Sequence, residues 1–451
     1  MADQRGVPTT GLGRARRLAS LPLGAAGRAV RGAGQRLTGT SAQEVSRRQQ
    51  EQAAEELFAV LGELKGGAQK VGQQLSIFEA AVPGEFVAPY REALTRLQEQ
   101  APPVPFSDLE PVLTRSLGAD WRSRFQDIDQ EAAASASIGQ VHRARWRDGR
   151  EVAVKIQYPW AGPALSADLR QLARVARLAR PLVPGMDLGA VVEEVQERML
   201  EELDYRREAW SQQVFADAYA DDPEVQVPPV LDHGEQVLVT EWLEGTPLSR
   251  LIARAGDGVP GADPAARATL EGAAPRYIGF LLGAPDRVGL LHADPHPGNY
   301  RVLPDGRLGV LDFGAVDRLP EGLPLAMGRL LGVALRQDAD TLLDGLREEG
   351  FIRDWVDLDP EELLDFFEPL VAPVRHPTFR FDRAWLRGVS SRVNDPRGTA
   401  FRITRRLDLP VQYLLIHRVW MGGTAVLSQM GVEIPARAVV DRHVPGLELD
   451  S

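Results

Sequence analysis

The order of strand-like and helical patterns along the chain limits its fold more than any other feature. Asp148-Gly149 separates two short runs of alternating apolar residues, 141–146 and 152–156. Asp-Gly between two such runs is a strong signal for a β-hairpin. The second half of the chain has mainly helical patterns, apart from two short strand patterns at 300–303 and 308–311. A small strand-rich unit therefore precedes a large helical unit, and we predict a two-lobed α+β fold.

Composition and charge are those of an ordinary globular protein. Of the 451 residues, 44% are hydrophobic, and no run of about 18 apolar residues predicts a transmembrane helix. Cysteine is absent, which excludes a disulfide framework, a thiolate zinc site and a cysteine nucleophile. The net charge is −11, although residues 1–41 contain seven arginines and one acidic residue. The acidic body argues against nucleic-acid binding. The basic arm is interpreted as a disordered tail, or alternatively as a contact for an anionic membrane.

We divide the chain into four segments. Residues 1–41 form the basic, disordered arm, and residues 42–105 a helical extension that ends in a stiff Pro-rich linker. Residues 106–240 form a strand-rich N-lobe with inserted helices, one of them predicted over 188–216. Residues 241–451 form a mostly helical C-lobe.

The strongest chemical signal is the spacing of three polar residues near the predicted strands of the C-lobe. Asp294 precedes Asn299 by five residues and precedes Asp312, the first residue of Asp312-Phe313-Gly314, by eighteen. Protein kinases have a catalytic aspartate, a metal-binding asparagine and a DFG aspartate in this order. We therefore predict that Asp294 accepts a hydroxyl proton or orients a nucleophile. Asn299 and Asp312 would bind Mg²⁺ through oxygen ligands.

The few lysines indicate a second part of the same site. Only three of the 52 basic residues are lysines, namely Lys65, Lys70 and Lys155. Lys is a compact point charge whereas Arg is a wide planar fork, so a lysine kept in an arginine-rich chain suggests a position where Arg does not serve. Lys155 lies on the strand after the predicted hairpin, as the VAIK lysine of kinases does. It would hold the α- and β-phosphates of ATP while paired with a helix glutamate, for which Glu208 is the candidate.

The segment expected to cradle the phosphates departs from the glycine-rich pattern of kinases. Alanine and serine replace most of the glycines, and only Gly139 remains. Alanine restricts φ and adds a methyl group, so its backbone amides surround phosphate less freely. Taken alone, this departure favours a nucleotide binder that transfers no phosphate. The candidate ATP contacts in this segment are Ala134, Ser135, Ala136, Ser137, Ile138, Gly139, Gln140 and Val141.

Four motifs together resemble those of one family. Lys70-Val71-Gly72-Gln73 matches a KxGQ motif, and residues 134–142 match an alanine-rich loop. Glu202-Leu203-Asp204 matches an ExD motif, and residues 292–299 read HADPHPGN. Over residues 46–430 the chain thus resembles the UbiB/AarF family of atypical protein-kinase-like proteins.

The resemblance implies a protein-kinase-like fold in which an N-terminal helical extension covers the active site. Lys70 and Gln73 would lie near Glu202 and Asp204 and fill the groove that binds peptide substrates in ordinary kinases. The hinge would contact adenine through backbone groups of residues 240–243, with Glu241 and Leu243 as candidate contacts. The implied cofactors are ATP or ADP and Mg²⁺. The implied role is support of isoprenoid-quinone biosynthesis or lipid homeostasis.

The chain also departs from the family in two places. Tyr300 follows Asn299 where a small aliphatic residue is usual, and the C-terminal transmembrane hairpin of some bacterial members is missing. We therefore expect a cytoplasmic protein whose membrane contact, if it has one, is peripheral at the inner face. The expected partners are nucleotide and proteins of a prenyl-lipid or quinone pathway, with no nucleic acid.

Three functions remain open at this point. An atypical kinase or ATPase is favoured because every polar role of a kinase is filled. A pseudokinase that binds nucleotide or lipid and regulates a biosynthetic complex is favoured by the alanine-rich loop. A small-molecule phosphotransferase shares the Asp–Asn–Asp order but lacks the KxGQ motif. His296 fits either a catalytic role or a structural hydrogen bond within its loop.

Overall fold

The computed structural model of the protein describes residues 104–136, 138–163, 203–255 and 262–447. The predictions for the basic arm, the KxGQ extension, Lys70, Gln73, Ser137 and Glu202 lie outside these residues. The described residues belong to two compact units. One contains 104–109, 134–136, 138–140 and 157–163, and the other contains the remaining described residues. The segment boundaries predicted at 41, 105 and 240 stay predictions.

In the smaller unit, hydrogen bonds and one ring contact connect the described stretches. The buried Gln140 side chain accepts a hydrogen bond from the amide of Val104 at 2.9 Å and donates one to its carbonyl at 3.0 Å. The amide of Tyr158 donates to the carbonyl of Ile138 at 2.9 Å. The Trp160 ring stacks on Tyr158, with 5.0 Å between the ring centroids.

The N-terminal half contains a helix and a sheet that begins with the predicted hairpin. Helix α1 (Phe106–Leu117) and a 3₁₀ turn (Trp121–Arg124) precede strands β1 (Phe125–Ala136), β2 (Gly139–Trp146) and β3 (Glu151–Gln157). Strands β2 and β3 are neighbours in the sheet, and Gly149 in the turn between them has φ +92°. A positive φ is easily adopted by glycine, which is why Asp-Gly predicts this turn. The predicted hairpin is confirmed.

A helix and four strands follow in the larger unit. They are α2 (Tyr205–Ala218), β4 (Val225–Gln226), β5 (Val230–His233), β6 (Val237–Glu241) and β7 (Thr246–Pro247). The five-stranded sheet has the order β1-β2-β3-β6-β5. Strand β6 pairs antiparallel with β3, so that Lys155 lies opposite Leu238. Val154 and Ile156 are completely buried on either side of Lys155, and the alternation of a strand therefore turns the lysine to the opposite face.

The prediction of one long helix over 188–216 is wrong at Asp204. Asp204 is extended, with φ −104° and ψ 95°, and it caps the N-terminus of α2 by accepting a hydrogen bond from the Arg206 amide. An aspartate in this conformation starts a helix because its carboxylate satisfies an amide that has no partner within the helix. The apolar periodicity on either side of this cap conceals the break.

Two helices and four short strands build the region of the catalytic motif. They are α3 (Leu248–Ala255), α4 (Pro264–Val288), β8 (Leu290–His292), β9 (Tyr300–Val302), β10 (Leu308–Val310) and β11 (Val316–Arg318). A 3₁₀ turn (Pro297–Asn299) joins β8 to β9. The strands form two small sheets, β4-β10-β9-β7 and β11-β8. Helix α4 begins at the Asp263 cap and ends at Gly289, which has φ +68°. These are common start and stop residues of a helix.

The remaining described residues are mostly helical. They form α5 (Leu325–Leu335), α6 (Ala339–Glu348), α7 (Pro360–Arg375), β12 (Phe379–Arg380), α8 (Arg383–Asn394), α9 (Thr399–Thr404), α10 (Val411–Met430), β13 (Glu433–Ile434) and α11 (Ala436–His443). The main apolar core of this unit includes buried residues of α4, α10 and α11. Across the described ranges, no helix combines the length and apolar content needed to span a bilayer.

The predicted fold class, α+β with a protein-kinase-like order of elements, is confirmed. The prediction of only two strands after Glu241 is wrong, because β7, β8, β11, β12 and β13 also form there. Each of them has two or three residues, which is too short for an alternating pattern to be recognised in the sequence.

Candidate nucleotide site

Lys155 lies between two carboxylates. Its Nζ is 2.6 Å from Oε1 of Glu208 on α2 and 3.2 Å from Oδ2 of Asp312 after β10. The Glu208 side chain is only 5% exposed, whereas that of Asp312 is 37% exposed. Burial alone would lower the pKa of Lys155, but the charges of Asp312 and Glu208 raise that pKa well above its usual value. The structure thus brings two of the predicted site residues, Glu208 and Asp312, to a lysine that stays charged at neutral pH.

Asp294 and Asn299 form the second part of the site. The Asn299 side-chain amide donates to Oδ2 of Asp294 at 2.9 Å, and the amide of His296 reaches Oδ1 at 3.3 Å. The ring Nδ1 of His296 accepts from the Gly298 amide at 3.1 Å, which stabilises the 3₁₀ turn. The structure therefore shows a structural hydrogen bond for His296, one of the two roles that the sequence allows. The turn holds Asp294 in place, and the residue as a whole is partly exposed.

The pairing of β9 with β10 explains why Asn299 and Asp312 are neighbours. Tyr300 lies opposite Val310, and the amide of Leu311 donates to the carbonyl of Asn299 at 2.9 Å. The two polar residues thus flank the open end of one short hairpin. Oδ1 of Asp312 accepts from the Gly314 amide at 3.0 Å. That bond fixes the orientation of the carboxylate.

The side chains around this hairpin end fit Mg²⁺ that arrives with a nucleotide. Mg²⁺ prefers oxygen ligands and is commonly bound by one or two carboxylates together with substrate phosphates. Asn299 and Asp312 offer an amide oxygen and a carboxylate. Within the described ranges, no group of three or more His, Cys, Asp or Glu residues could hold a metal ion by itself. The donor set therefore suits a metal–phosphate complex better than a bare ion.

A buried aromatic cluster lies beneath these loops, and we call it the aromatic support. It consists of Phe215, Tyr277, Phe280, His292, Tyr300 and Phe313. Nε2 of His292 is 2.6 Å from the Asp312 carbonyl oxygen, and the hydroxyl of Tyr300 is 3.3 Å from Nδ1 of the same ring. Burial lowers the pKa of His292, so the ring is neutral at physiological pH.

The alanine-rich segment 134–140 and the predicted catalytic residues belong to different compact units. Ala134 and Ser135 are exposed, whereas Ile138, Gly139 and Gln140 are buried. The side chain of Gln140 bonds both backbone groups of Val104, and it is therefore occupied within its own unit. A nucleotide contact by any residue of 134–141 stays a prediction.

The predicted hinge residues lie at the end of β6. Glu241 pairs with Arg150 at 2.7 Å, and Leu243 is buried. The Trp242 ring lies between the guanidinium groups of Arg143 and Arg301, at 5.0 and 5.6 Å from its centroid. This arrangement holds the backbone of the hinge in place, which is what the predicted recognition of adenine by its backbone groups needs.

Asp204 is the described member of the predicted ExD pair. Its carboxylate bonds the Arg206 guanidinium at 2.8 Å and caps α2. Its pKa is lowered, chiefly by the hydrogen bond from the Arg206 side chain. The predicted approach of Lys70 and Gln73 to Glu202 and Asp204 lies outside the described residues.

Comparison with known proteins identifies the family. The sequence profile of the ABC1 atypical kinase-like domain matches residues 96–345, more than half of the chain. The chain belongs to this family. The protein named ACTIVITY OF BC1 COMPLEX KINASE 3, chloroplastic, from Arabidopsis thaliana is 30% identical over 306 residues, which cover 66% of this chain and 41% of that protein. The atypical kinase COQ8, mitochondrial, from Saccharomyces cerevisiae is 28% identical over 382 residues, which cover 82% of this chain and 72% of that protein.

A solved structure from Mycobacterium tuberculosis supports the same fold. It is Rv3197 in complex with erythromycin, with 42% sequence identity and a TM-score of 0.69. The match covers 90% of this chain and 99% of that one. By contrast, the chain spans about half the length of most of the curated relatives that it matches. Membership of the UbiB-type ABC1 family, predicted from the four motifs, is confirmed.

For this ABC1 family member, sequence reasoning missed the support under the site. His292 was seen only as part of a motif, and Tyr277 was not singled out. Tyr300, which stands where the resemblance implies a small aliphatic residue, reaches the histidine ring. A tyrosine after Asn299, the predicted metal ligand, is the available signal in the sequence, because a phenol in a buried position needs a hydrogen-bond partner.

Proposed function

We propose that the protein is a Mg²⁺-dependent atypical kinase or ATPase that supports isoprenoid-quinone biosynthesis or lipid homeostasis. The observation that carries this proposal is the contact of Lys155 with both Glu208 and Asp312. A buried glutamate that orients a lysine beside the metal-binding aspartate is the arrangement that active protein kinases need. Each member of this arrangement has the residue type that the chemistry requires.

Each residue would have a separate task in phosphoryl transfer. Lys155 would bind the α- and β-phosphates, and Glu208 would keep its ammonium group in place. Asp294 would accept a proton from the attacking hydroxyl or water, and Asn299 would hold the Asp294 carboxylate in position through the 2.9 Å bond. When bound, Mg²⁺ would neutralise phosphate charge and would be held by Asn299 and Asp312. Catalysis would then consist mainly of positioning and electrostatic stabilisation.

The metabolic part of the proposal rests on the family. The resemblance to UbiB/AarF proteins and the match to COQ8 support a role with prenyl lipids or with proteins of a quinone pathway. The acidic body and the basic residues 1–41 support a peripheral contact of that arm with anionic lipid. The acceptor of the phosphoryl group would be a protein, a lipid, a small molecule or water.

The deciding experiment is Mg²⁺-dependent ATP hydrolysis by the purified chain, with and without anionic liposomes, alongside Asp312→Asn. We expect turnover that rises with liposomes and is lost in the variant, together with a fall of about 100-fold in Mg²⁺–nucleotide affinity. The matched control is Asp305→Asn, since Asp305 is an exposed aspartate in the turn of the same β9–β10 hairpin and bonds the neighbouring Arg307. Unchanged metal–nucleotide affinity in Asp312→Asn would disprove the metal assignment.

A parent chain that binds nucleotide without hydrolysing it would favour the pseudokinase scaffold. The alanine-rich segment supports that alternative, because its single glycine, Gly139, is buried. In that case the same Asp312→Asn variant should still lose Mg²⁺–nucleotide binding. The search would then turn to protein partners whose association depends on bound nucleotide.

We also propose macrolide binding as a second function, on one specific observation. The mycobacterial relative is 42% identical across 90% of this chain, and it was solved as a complex with erythromycin. Calorimetric titration of erythromycin into the purified chain tests this, with an unrelated antibiotic of similar mass as the control. Saturable binding that the control compound lacks supports the proposal. Absence of heat at millimolar drug contradicts it.

A further inference from the structure

Two neutral tyrosines connect the aromatic support to the two loops of the site. We call the loop that contains Asp294 the catalytic loop and the loop that contains Asp312 the metal loop. Tyr277 on α4 and Tyr300 on β9 are completely buried, and their rings meet edge to face at 4.9 Å. A phenol is protonated at neutral pH, so each hydroxyl can donate one hydrogen bond. The two hydroxyls have different hydrogen-bond partners, and each partner is bonded to, or lies in, a different loop.

Tyr300 leads to the metal loop through His292. A backbone carbonyl can only accept a hydrogen bond, so the 2.6 Å contact with the Asp312 carbonyl requires a proton on Nε2 of His292. In a neutral ring, Nδ1 is then an acceptor, and the Tyr300 hydroxyl 3.3 Å away is the donor that matches it. The hydroxyl thus favours the tautomer that holds the Asp312 backbone.

Tyr277 leads to the catalytic loop without an intermediate. Its hydroxyl donates to the carbonyl of Pro295, the residue after Asp294, at 2.6 Å. The Pro295 ring also packs against α10, where a Cβ at Gly422 would lie 2.5 Å from Cγ of the proline ring. The loop is therefore held both by a hydrogen bond and by a close contact with a glycine.

We propose that Tyr300 and Tyr277 are positioning residues with separate duties: Tyr300 places Asp312 through His292, and Tyr277 places Asp294 through Pro295. The assignment rests on the proposed function insofar as Asp312 binds the metal and Asp294 serves turnover. It goes beyond that function because both tyrosines are completely buried and would act only through His292 and Pro295.

The test compares three variants that each remove one hydroxyl. They are Tyr300→Phe, Tyr277→Phe and the control Tyr413→Phe, whose hydroxyl donates to Glu349 at 2.7 Å outside the aromatic support. Nucleotide affinity is measured by calorimetry over a range of Mg²⁺ concentrations and again in excess chelator. Turnover is measured at saturating Mg²⁺ and nucleotide.

The two roles predict different effects of the two variants on Mg²⁺ dependence and on kcat. For Tyr300→Phe we expect the Mg²⁺ concentration at half-maximal nucleotide binding to rise about fivefold, the effect of one typical hydrogen bond, with affinity in chelator unchanged. For Tyr277→Phe we expect an unchanged Mg²⁺ midpoint and a fall of about fivefold in kcat. Tyr413→Phe should change neither quantity. Equal effects of the first two variants, or lowered Tm alone in both, would overturn the assignment of separate duties.

A spectroscopic measurement keeps the proposal testable if the parent chain proves unable to bind nucleotide. Long-range ¹H–¹⁵N spectra of the histidine rings report the tautomer of each ring. For His292 we expect the Nε2–H form in the parent chain and a shifted Nδ1 resonance in Tyr300→Phe but not in Tyr413→Phe. A His292 ring protonated at Nδ1, or identical His292 resonances in Tyr300→Phe and the parent, would refute the role of Tyr300. Failure of nucleotide binding with the expected resonances would refute only the proposed function.

Discussion

The charged cluster around Lys155 and the aromatic support around His292 both contact Asp312, but they do so through different atoms and different kinds of interaction. Lys155 contacts the Asp312 carboxylate, whereas His292 bonds its backbone carbonyl. The first contact is between full charges at a partly accessible carboxylate, and the second is a neutral hydrogen bond inside an apolar cluster. The Asp312 carboxylate is therefore placed where a ligand can reach it, whereas the bond that holds its backbone is neutral and buried. A buried neutral hydrogen bond keeps its geometry with little dependence on salt or pH.

The largest effect on stability is expected from removing Lys155 from the charged cluster. Lys155→Met leaves Glu208 buried next to Asp312 without the cation between them. Breaking a buried ion pair from one side costs about 3–5 kcal/mol, although partial exposure of Asp312 lowers the expected loss towards the smaller value. Urea unfolding measures this, and the control is Arg353→Met, which breaks an exposed ion pair with Asp408. A loss no larger than in the control would show that the cluster contributes nothing to stability.

The pH dependence of the parent chain sharpens the same point. The pKa of Lys155 is raised in the folded state, so its contribution to stability is fully present below the unfolded pKa of about 10.4. That contribution is lost only as the pH rises through the folded value. In the parent chain the Lys155 ammonium should therefore stay charged from pH 6 to about 9, which NMR of ¹³C-labelled lysine measures. Titration of Lys155 within this range would contradict the raised pKa.

An intermediate effect is expected from adding a methyl group where α10 packs against the catalytic loop. In Gly422→Ala the new Cβ meets Pro295 at 2.5 Å, so either α10 or the catalytic loop has to shift. Overpacking of this kind costs about 1–3 kcal/mol, and we expect kcat to fall while nucleotide affinity is retained. The matched control is Gly388→Ala in α8, where nothing lies within 4 Å of the added Cβ. There the substitution should stabilise the helix by up to about 1 kcal/mol. Equal stability changes in both variants would contradict the contact.

The smallest effect is expected at the start of α2. Asp204→Ala removes the side-chain cap of the helix that carries Glu208, and loss of such a cap typically costs about 1 kcal/mol. Because the folded pKa of Asp204 is lowered, the stabilisation is present above the unfolded value of about 3.9 and is lost as the pH falls through the folded value. Thermal unfolding of parent and variant at pH 7 and at pH 3 measures this difference. A gap in Tm that is as large at pH 3 as at pH 7 would argue against a charged cap.

The comparison also shows what could be read from the sequence. The charged half was predictable because Lys155, Asp294, Asn299 and Asp312 have residue types and spacings that few other functions require. Glu208 could be proposed as a partner only after a helix was expected around it. The neutral half was not predictable, because Tyr277 and Tyr300 are 23 residues apart and their meeting depends on how α4 packs against β9. Short strands such as β8 and β11 were missed for a related reason, since pairing rather than periodicity creates them.

The twofold contact of Lys155 has a consequence for chemical labelling. Acylating reagents attack the neutral amine, and the carboxylates of Glu208 and Asp312 keep this amine protonated far above neutral pH. With only three lysines in the chain, an amine-directed reagent has few targets, and Lys155 should be the slow one of the three whenever the others are exposed to solvent. An adduct on Lys155 at neutral pH would therefore record the moments at which the lysine has left both acids.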